Sequence, residues 1–206
     1  MKNTTKLFLL LTAIVSFAFV NPNHSKPRQI NVVIDAAHGG SDLGATSNSI
    51  YEKQIVEQIA NKIKSLNKNK NIVIHFTRST DVFIPLKDRT TIVNTINPDL
   101  VLSLHVNSNS DTKKSGVEFF VANKDLAVYE KSNDLAVKLS SEFAKNNSLT
   151  IGVIKNAPFY ILKNATVPTV LIELGYLSNE NDKKYLTDEK EQDKIVENIL
   201  EVISNY

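Results

Sequence analysis

The chain has 206 residues, of which 42% are hydrophobic and 22% are charged, and it contains no cysteine. This length and composition fit one globular domain around a single hydrophobic core, and the absence of cysteine excludes disulfide bonds and a lipid anchor attached through a cysteine. A formal net charge of +2 gives none of the strong positive bias of a nucleic-acid-binding protein.

The first twenty residues have the composition of a secretory signal peptide. Lys2 and Lys6 precede an uncharged apolar run from Leu7 to Val20, which is too short to span a bilayer comfortably. An uncleaved membrane anchor stays open as the alternative, because no A-x-A cleavage site follows the run. We predict a signal peptide over residues 1–20 and an extended leader over residues 21–29. The protein is then exported, to the periplasm or the medium, and leaves the membrane after signal cleavage.

After the leader, short β-branched runs alternate with stretches of helical periodicity, so we predict one α/β domain over residues 30–206. The pattern is typical of a mostly parallel, mixed sheet with helices on both faces. The predicted strands are Asn31–Asp35, Asn71–Thr77, Leu100–Leu104, Val117–Val121 and Thr169–Glu173. The predicted helices are Ile50–Asn67, Leu86–Asn97, Leu126–Asn146 and about Glu189–Ser204.

Polar side chains collect where the predicted strands end. His38 follows the first strand in a turn with Gly39 and Gly40, and His105 follows the third strand. Functional groups of open α/β sheets gather at the carboxyl ends of the strands, and Glu52, in the first turn of a helix, can lean toward the same edge. A catalytic zinc ion needs three histidine or carboxylate ligands and one open position. His38, Glu52 and His105 are therefore candidate ligands, although a single histidine at a strand end is more often structural.

Glu173 ends an otherwise apolar strand, where an unpaired charge would be costly. Metal-assisted hydrolysis needs a carboxylate, not itself a ligand, that takes a proton from water and passes it on. Glu173 is the candidate for this role. The structural alternative is that it caps the next segment or pairs with Arg78 or Arg89. We expect no role for His24, in the leader, or for His75, inside a strand.

Five ordered blocks of the sequence match the motifs of one enzyme family. The blocks are Val33–Ala45 (VIDAAHGGSDLGA), Tyr51–Ile55, Thr77–Asp81 with Leu86, Arg89 and Asn94, Ser103–Asn107 (SLHVN) and Pro168–Asn179. They resemble the zinc-dependent N-acetylmuramoyl-L-alanine amidases of the amidase 3 family. The resemblance extends from Ile30 to the C-terminal helix, and chance agreement of five ordered blocks is very improbable.

The resemblance implies that one zinc ion per chain is held by His38, Glu52 and His105, with Glu173 as the catalytic acid and base. The implied reaction is hydrolysis of the amide bond between N-acetylmuramic acid and L-alanine in peptidoglycan, during cell-wall remodelling, daughter-cell separation or turnover. The expected partner is peptidoglycan and not nucleic acid. We expect a monomer, and no segment of the sequence identifies an activator protein.

Four further residues occupy motif positions of the family: Arg78, Asp81, Arg89 and Asn107. We expect them to support the site or bind substrate rather than to carry the chemistry, and Arg78 and Asp81 could simply pair with each other.

Two features depart from relatives in the family. Ala36 and Ala37 replace a Pro-Gly pair, and because alanines favour negative φ, a differently shaped metal loop is expected. Some relatives also carry an inserted helix that plugs the site. Here residues 106–172 are predicted to hold one strand, one long helix and a short link, which predicts an open groove.

Two other functions fit the sequence less well than hydrolysis does. A non-catalytic peptidoglycan-binding or regulatory module would lack a ligand or Glu173, and the sequence has all of them. A phosphate-binding loop formed by Gly39, Gly40 and Gly44 is disfavoured, because Asp42 would repel phosphate and the G-x-G-x-x-G spacing is absent.

Overall fold

The computed structural model describes residues 28–146 and 148–206. The predicted signal peptide, and the predicted leader as far as residue 27, lie outside the described residues. Among the helices of the described part, none combines the length and apolar character that a membrane span needs.

A six-stranded mixed sheet forms the centre of the described fold. Its strands are β1 Ile30–Ala36, β4 Ile72–Phe76, β5 Leu100–Asn107, β6 Val117–Val121, β7 Ile151–Asn156 and β8 Thr169–Tyr176. Their order in the sheet is β4-β1-β5-β8-β6-β7. β4, β1, β5 and β8 run parallel to one another, whereas β6 pairs antiparallel with β8 and parallel with β7. The carboxyl ends of β1, β5 and β8 therefore meet at one edge.

The described part of the chain also contains six helices, with a small hairpin before the first of them. The helices are α1 Glu52–Leu66, α2 Leu86–Ile96, α3 Tyr129–Asn146, α4 Tyr160–Asn164, α5 Glu180–Thr187 and α6 Glu189–Ser204. The hairpin pairs β2 (Thr46–Ser47) with β3 (Ile50–Tyr51). Its turn residues Asn48 and Ser49 have φ of 47° and 65°, as in the type I′ turns that suit two-residue hairpins. The hairpin delivers the chain directly to Glu52.

Helices cover both faces of the sheet. Ile55, Ile59 and Ile63 of α1 pack with residues of α3 and α6 in the larger hydrophobic cluster on one face. Val93 of α2 and Leu162 of α4 pack over β1, β5 and β8 in a smaller cluster on the other face. The central strands are buried on both sides, which explains why their sequences are almost continuously apolar.

The fold class and the five predicted strands are confirmed, but the region between β5 and β8 was predicted too simply. It contains a second strand, β7, and the short helix α4, in addition to β6 and α3. The first predicted helix also began too early, because Ile50 and Tyr51 form β3.

Candidate active site

The loop after β1 places the His38 side chain at the carboxyl edge of the sheet. His38, Gly39 and Gly40 have φ of 58°, 124° and 58°, in the left-handed region that favours glycine. A Cβ at Gly39 would lie 2.3 Å from the Val82 carbonyl oxygen, so the loop passes where no side chain fits. Ala36 and Ala37 keep negative φ, as expected of alanine.

Two buried arginines hold this loop through its carbonyl oxygens. Arg78 donates to the carbonyls of Ala36 at 2.9 Å and Ala37 at 3.1 Å, and pairs with Glu57 at 2.9 Å. Arg89 donates to the carbonyls of Ala36 and His38. Arg78 and Arg89 pair with Glu57 and Asp35 rather than with Glu173, so the predicted alternative of an arginine pair for Glu173 is wrong.

Arg89 also pairs with the buried carboxylate of Asp35 at 2.8 Å. Asp35 accepts further hydrogen bonds from the hydroxyls of Thr77 at 2.6 Å and Ser103 at 2.7 Å. Burial alone would raise the pKa of Asp35, but the Arg89 charge and these hydrogen bonds hold it below its usual value. The Arg89–Asp35 ion pair therefore lies directly beneath the loop that carries His38.

Asp81 and Asn107 lie at the margins of the site. Asp81 accepts from the Gly40 backbone N–H at 2.7 Å and pairs with Lys53 at 2.7 Å, rather than pairing directly with Arg78. Asn107 lies 3.5 Å from Glu118 through its amide nitrogen. Of the four supporting residues predicted, Arg89 lines the cavity that His38 and Glu173 also line.

His38, Glu52 and His105 converge at this edge. Glu52 Oε1 lies 3.0 Å from His38 Nε2 and 3.1 Å from His105 Nδ1, and ligand atoms of all three residues lie within 4.8 Å of one another. The hydrogen bond to Glu52 Oε2 from the Ala45 N–H is 2.8 Å, and that to Oε1 from the Val106 N–H is 2.9 Å. Burial would raise the pKa of Glu52, but the two histidines lower it far below its usual value. Glu52 is therefore an ionised carboxylate that lies between two imidazoles.

Asp42 orients the first histidine. Its Oδ2 lies 2.8 Å from His38 Nδ1, which leaves Nε2 facing Glu52. Burial lowers the pKa of His38, but Glu52 and Asp42 together raise it above its usual value. Gly44 keeps the space open, since a Cβ there would lie 2.5 Å from Glu52 Oε2. A histidine held by a carboxylate through its second nitrogen is the arrangement that proteins use around metal ligands.

Glu173 lies in a row of polar side chains across three strands. It is in register with His105 on β5 and with Glu118 on β6, and residues in register project from the same face of a sheet. Its Oε2 is buried and has no hydrogen-bond partner among residues 28–146 and 148–206. Burial raises the pKa of Glu173 to about 7, with Glu52 and Glu118 adding to the rise and the histidines opposing it. A carboxyl with this pKa can both take and give a proton near neutral pH.

A cavity of about 210 Å³ opens beside this row. His38, His105 and Glu173 line it, and so do Leu86, Phe159 and Tyr160 from the starts of α2 and α4. The side chains of His38 and His105 remain 22% and 24% exposed, so α4 does not cover them.

The match to a known protein family includes every residue of this site. Residues 32–205 match the family model of the N-acetylmuramoyl-L-alanine amidases called Amidase_3. The chain belongs to this family. The amidase is therefore a hydrolase that acts on peptidoglycan, at the bond between N-acetylmuramic acid and L-alanine.

Curated relatives agree with this assignment. The amidase is 31% identical to the probable cell wall amidase LytH of Staphylococcus saprophyticus, over 90% of this chain and 61% of LytH. It is 29% identical to the N-acetylmuramoyl-L-alanine amidase AmiA of Escherichia coli, over 89% of this chain and 80% of AmiA. The chain thus spans less than two thirds of LytH but most of AmiA.

Solved structures of similar fold include the catalytic domain of CwlV from Bacillus (Paenibacillus) polymyxa. That amidase domain has a TM-score of 0.80 and 32% identity, covering 86% of this chain and 98% of CwlV's. The CwlD amidase of Clostridioides difficile, solved in complex with the GerS lipoprotein, has a TM-score of 0.77 and 30% identity, covering 86% of this chain and 98% of that one.

Sequence reasoning missed three parts of the site. Asp42 was weighed only against phosphate binding, although an aspartate four residues after a histidine in a glycine turn can reach that histidine. Asp35 was not recognised as the partner of Arg89. Phe159 and Tyr160 gave no signal, since only the packing of α4 brings them to the cavity.

Proposed function

We propose that this amidase holds one zinc ion through His38, Glu52 and His105, and uses Glu173 as the acid and base that cleaves the N-acetylmuramoyl-L-alanine amide. The observation that carries the proposal is the convergence of three ligand atoms within 4.8 Å, beside a buried carboxylate oxygen that has no partner.

The donor set fits zinc. Two imidazoles and one carboxylate are the ligand types of catalytic zinc sites, which keep a further position for water or substrate. Negative charge on Glu52 offsets part of the charge of a dication, and Asp42 supports His38 from behind. A divalent ion at this position supplies Lewis-acid polarisation of the scissile carbonyl and acidifies a water molecule.

Glu173 performs the proton transfers. Its carboxylate takes a proton from the attacking water as the carbon–oxygen bond forms at the lactyl carbonyl. It then delivers that proton to the nitrogen of L-alanine as the carbon–nitrogen bond breaks. The Oε2 atom suits both steps, because no hydrogen bond within the described residues occupies it. Arg78 and Arg89 act indirectly, by holding the loop that carries His38, and the amide nitrogen of Asn107 lies 3.5 Å from Glu118, the member of the row on β6.

The amidase acts outside the cytoplasm in this proposal. Its substrate is the cell wall, and residues 1–20 have the composition of a signal peptide. The export step is tested by sequencing the N-terminus of the protein recovered from the periplasm or the medium, where a cleaved chain is expected.

Digestion of purified peptidoglycan tests the reaction and its groups together. The chain should release stem peptides that begin with L-alanine, lose this activity with a chelator and regain it with zinc. His38→Ala and His105→Ala should lose both zinc and activity. Glu173→Gln should keep one zinc ion per chain, measured by elemental analysis, and lose turnover.

Glu197→Gln is the matched control, since Glu197 is exposed on α6 and far from the site. It should behave as the unaltered chain in both assays. Folded, zinc-loaded protein that releases no peptide from wall or soluble muropeptides would contradict hydrolysis and favour the non-catalytic module.

A further inference from the structure

Three uncharged side chains line the same cavity as the catalytic groups. Leu86, at the start of α2, and Phe159 and Tyr160, at the start of α4, are 60%, 41% and 40% exposed, and all three line the cavity that reaches His38 and Glu173. We call these three residues the apolar rim. Contiguous exposed apolar side chains beside a polar site are typical of a ligand-binding surface.

The apolar rim is held rigidly. Phe159 makes an edge contact with Phe120 of β6, with ring centroids 5.3 Å apart and planes at 61°. Asn94 of α2 donates to the Asn164 carbonyl at the end of α4 at 3.0 Å and accepts from the Thr166 N–H at 3.0 Å. The end of α4 and the Phe159 ring therefore have defined neighbours in α2 and β6.

We infer that the apolar rim is the subsite for the sugar ring of the substrate, with Phe159 and Tyr160 packing against the C–H face of N-acetylmuramic acid. This inference rests on the proposed function. The aromatic face carries negative charge density, which attracts the weakly positive C–H bonds of a pyranose ring. Such packing excludes water from a sugar without requiring a charged partner.

The charges on the two halves of the substrate favour the sugar, rather than the peptide, as the occupant of the apolar rim. N-acetylmuramic acid is uncharged once its carboxyl is joined to L-alanine, whereas the stem peptide carries free carboxylates and, at its third residue in many walls, an amine. The apolar rim offers no charged side chain, and the charged groups that line the cavity belong to the strands, the metal loop and Arg89. A volume of about 210 Å³ lies below the roughly 300–1,000 Å³ of pockets that enclose whole drug-sized ligands, so it suits a single ring.

Glycan binding alone tests the subsite without turnover. Peptide-free strands of alternating N-acetylglucosamine and N-acetylmuramic acid, with each lactyl carboxyl converted to its uncharged carboxamide, are titrated by calorimetry into chelator-treated protein. Phe159→Leu and Tyr160→Leu keep apolar bulk but remove the aromatic faces, and each should weaken binding about fivefold to tenfold. Tyr206→Leu, which alters a tyrosine outside the cavity, is the matched control.

A pair of substrates tests the same subsite during turnover. One is the disaccharide carrying a stem peptide, and the other is the same peptide capped by an O-methyl-D-lactyl group without a sugar. In each rim variant the ratio of kcat/KM for the sugar substrate to that for the sugar-free one should fall about fivefold to tenfold. Circular dichroism and zinc content show whether α4 and the metal centre are intact.

The outcomes separate the two proposals. Unchanged glycan binding in the variants, or an equal loss on both substrates, overturns the glycan subsite. A loss that instead follows the length or charge of the peptide assigns the apolar rim to the stem peptide and also overturns it. If the unaltered chain binds glycan through the rim but hydrolyses neither substrate, the hydrolysis proposal fails while the subsite stands.

Discussion

Replacing Glu173 with glutamine should stabilise the metal-free protein at alkaline pH. Burial raises the pKa of Glu173 from 4.5 to about 7, so the folded chain holds this proton more tightly than the unfolded chain does. The stability that the protonated group contributes is full below pH 4.5 and is lost as the pH rises through about 7. Glutamine has the same shape and no charge, so the variant avoids this loss.

The magnitude follows from the pKa. A rise of about 2.5 corresponds to about 3.4 kcal/mol, because each pKa unit equals about 1.36 kcal/mol. Relaxation of the site and entry of water reduce this value, so we expect a gain of about 2 kcal/mol at pH 8 and of about 0.5 kcal/mol at pH 5. For a domain of this size, about 2 kcal/mol moves Tm by about 4–8 °C.

Urea unfolding of the chelator-treated proteins at pH 5 and pH 8 measures this difference. Titrating histidines affect both proteins, so the comparison at each pH removes most of their contribution. Glu197→Gln should show no pH-dependent difference, because that side chain is exposed. An equal effect of Glu173→Gln at the two pH values would refute the reasoning, since it would mean that the Glu173 carboxylate is solvated or paired in the folded protein.

Three further changes have distinct expected results. Asp42→Asn should weaken zinc binding about 10-fold to 100-fold, measured by competition with a fluorescent chelator, because it removes the carboxylate that orients His38; an unchanged affinity would contradict that role. Arg89→Ala should cost about 3–5 kcal/mol in urea unfolding, because it leaves the Asp35 carboxylate buried and unpaired, whereas Arg28→Ala, in an exposed pair, should cost less than about 1 kcal/mol. Gly44→Ala should lower zinc content in elemental analysis, because its Cβ would displace Glu52 or His38, and full occupancy would show that the loop yields.

The central strands, and the convergence of His38, Glu52 and His105 at one edge of the sheet, were predictable because their signals are local. β1, β5 and β8 are apolar runs that end at polar residues, and the topology of such sheets brings their ends together. β7 was missed because it is an edge strand: Val153 is 72% exposed and Lys155 points toward Glu118. An edge strand does not need the continuous apolar sequence by which a buried strand is recognised.

The side-chain contacts around the site could not be predicted in the same way. Arg89 pairs with Asp35, which lies 54 residues away in the sequence. Nothing in the spacing distinguishes Arg89 from Arg78, which pairs with Glu57 instead. The exposure of Phe159 depends equally on how α4 packs over β6. These contacts are set by tertiary packing, whereas the sequence pattern reports the elements that pack.

The hold of two guanidinium groups on the carbonyls of the loop has a consequence for how the protein matures. Arg78 and Arg89 fix the loop around His38 through hydrogen bonds to its carbonyl oxygens, and these contacts do not involve the proposed metal ligand atoms. In the proposed function, uptake of the zinc ion then requires little backbone reorganisation. A chain that reaches the cell wall can complete its fold first and acquire its ion afterwards, and an ion lost to a competing chelator can be replaced without refolding.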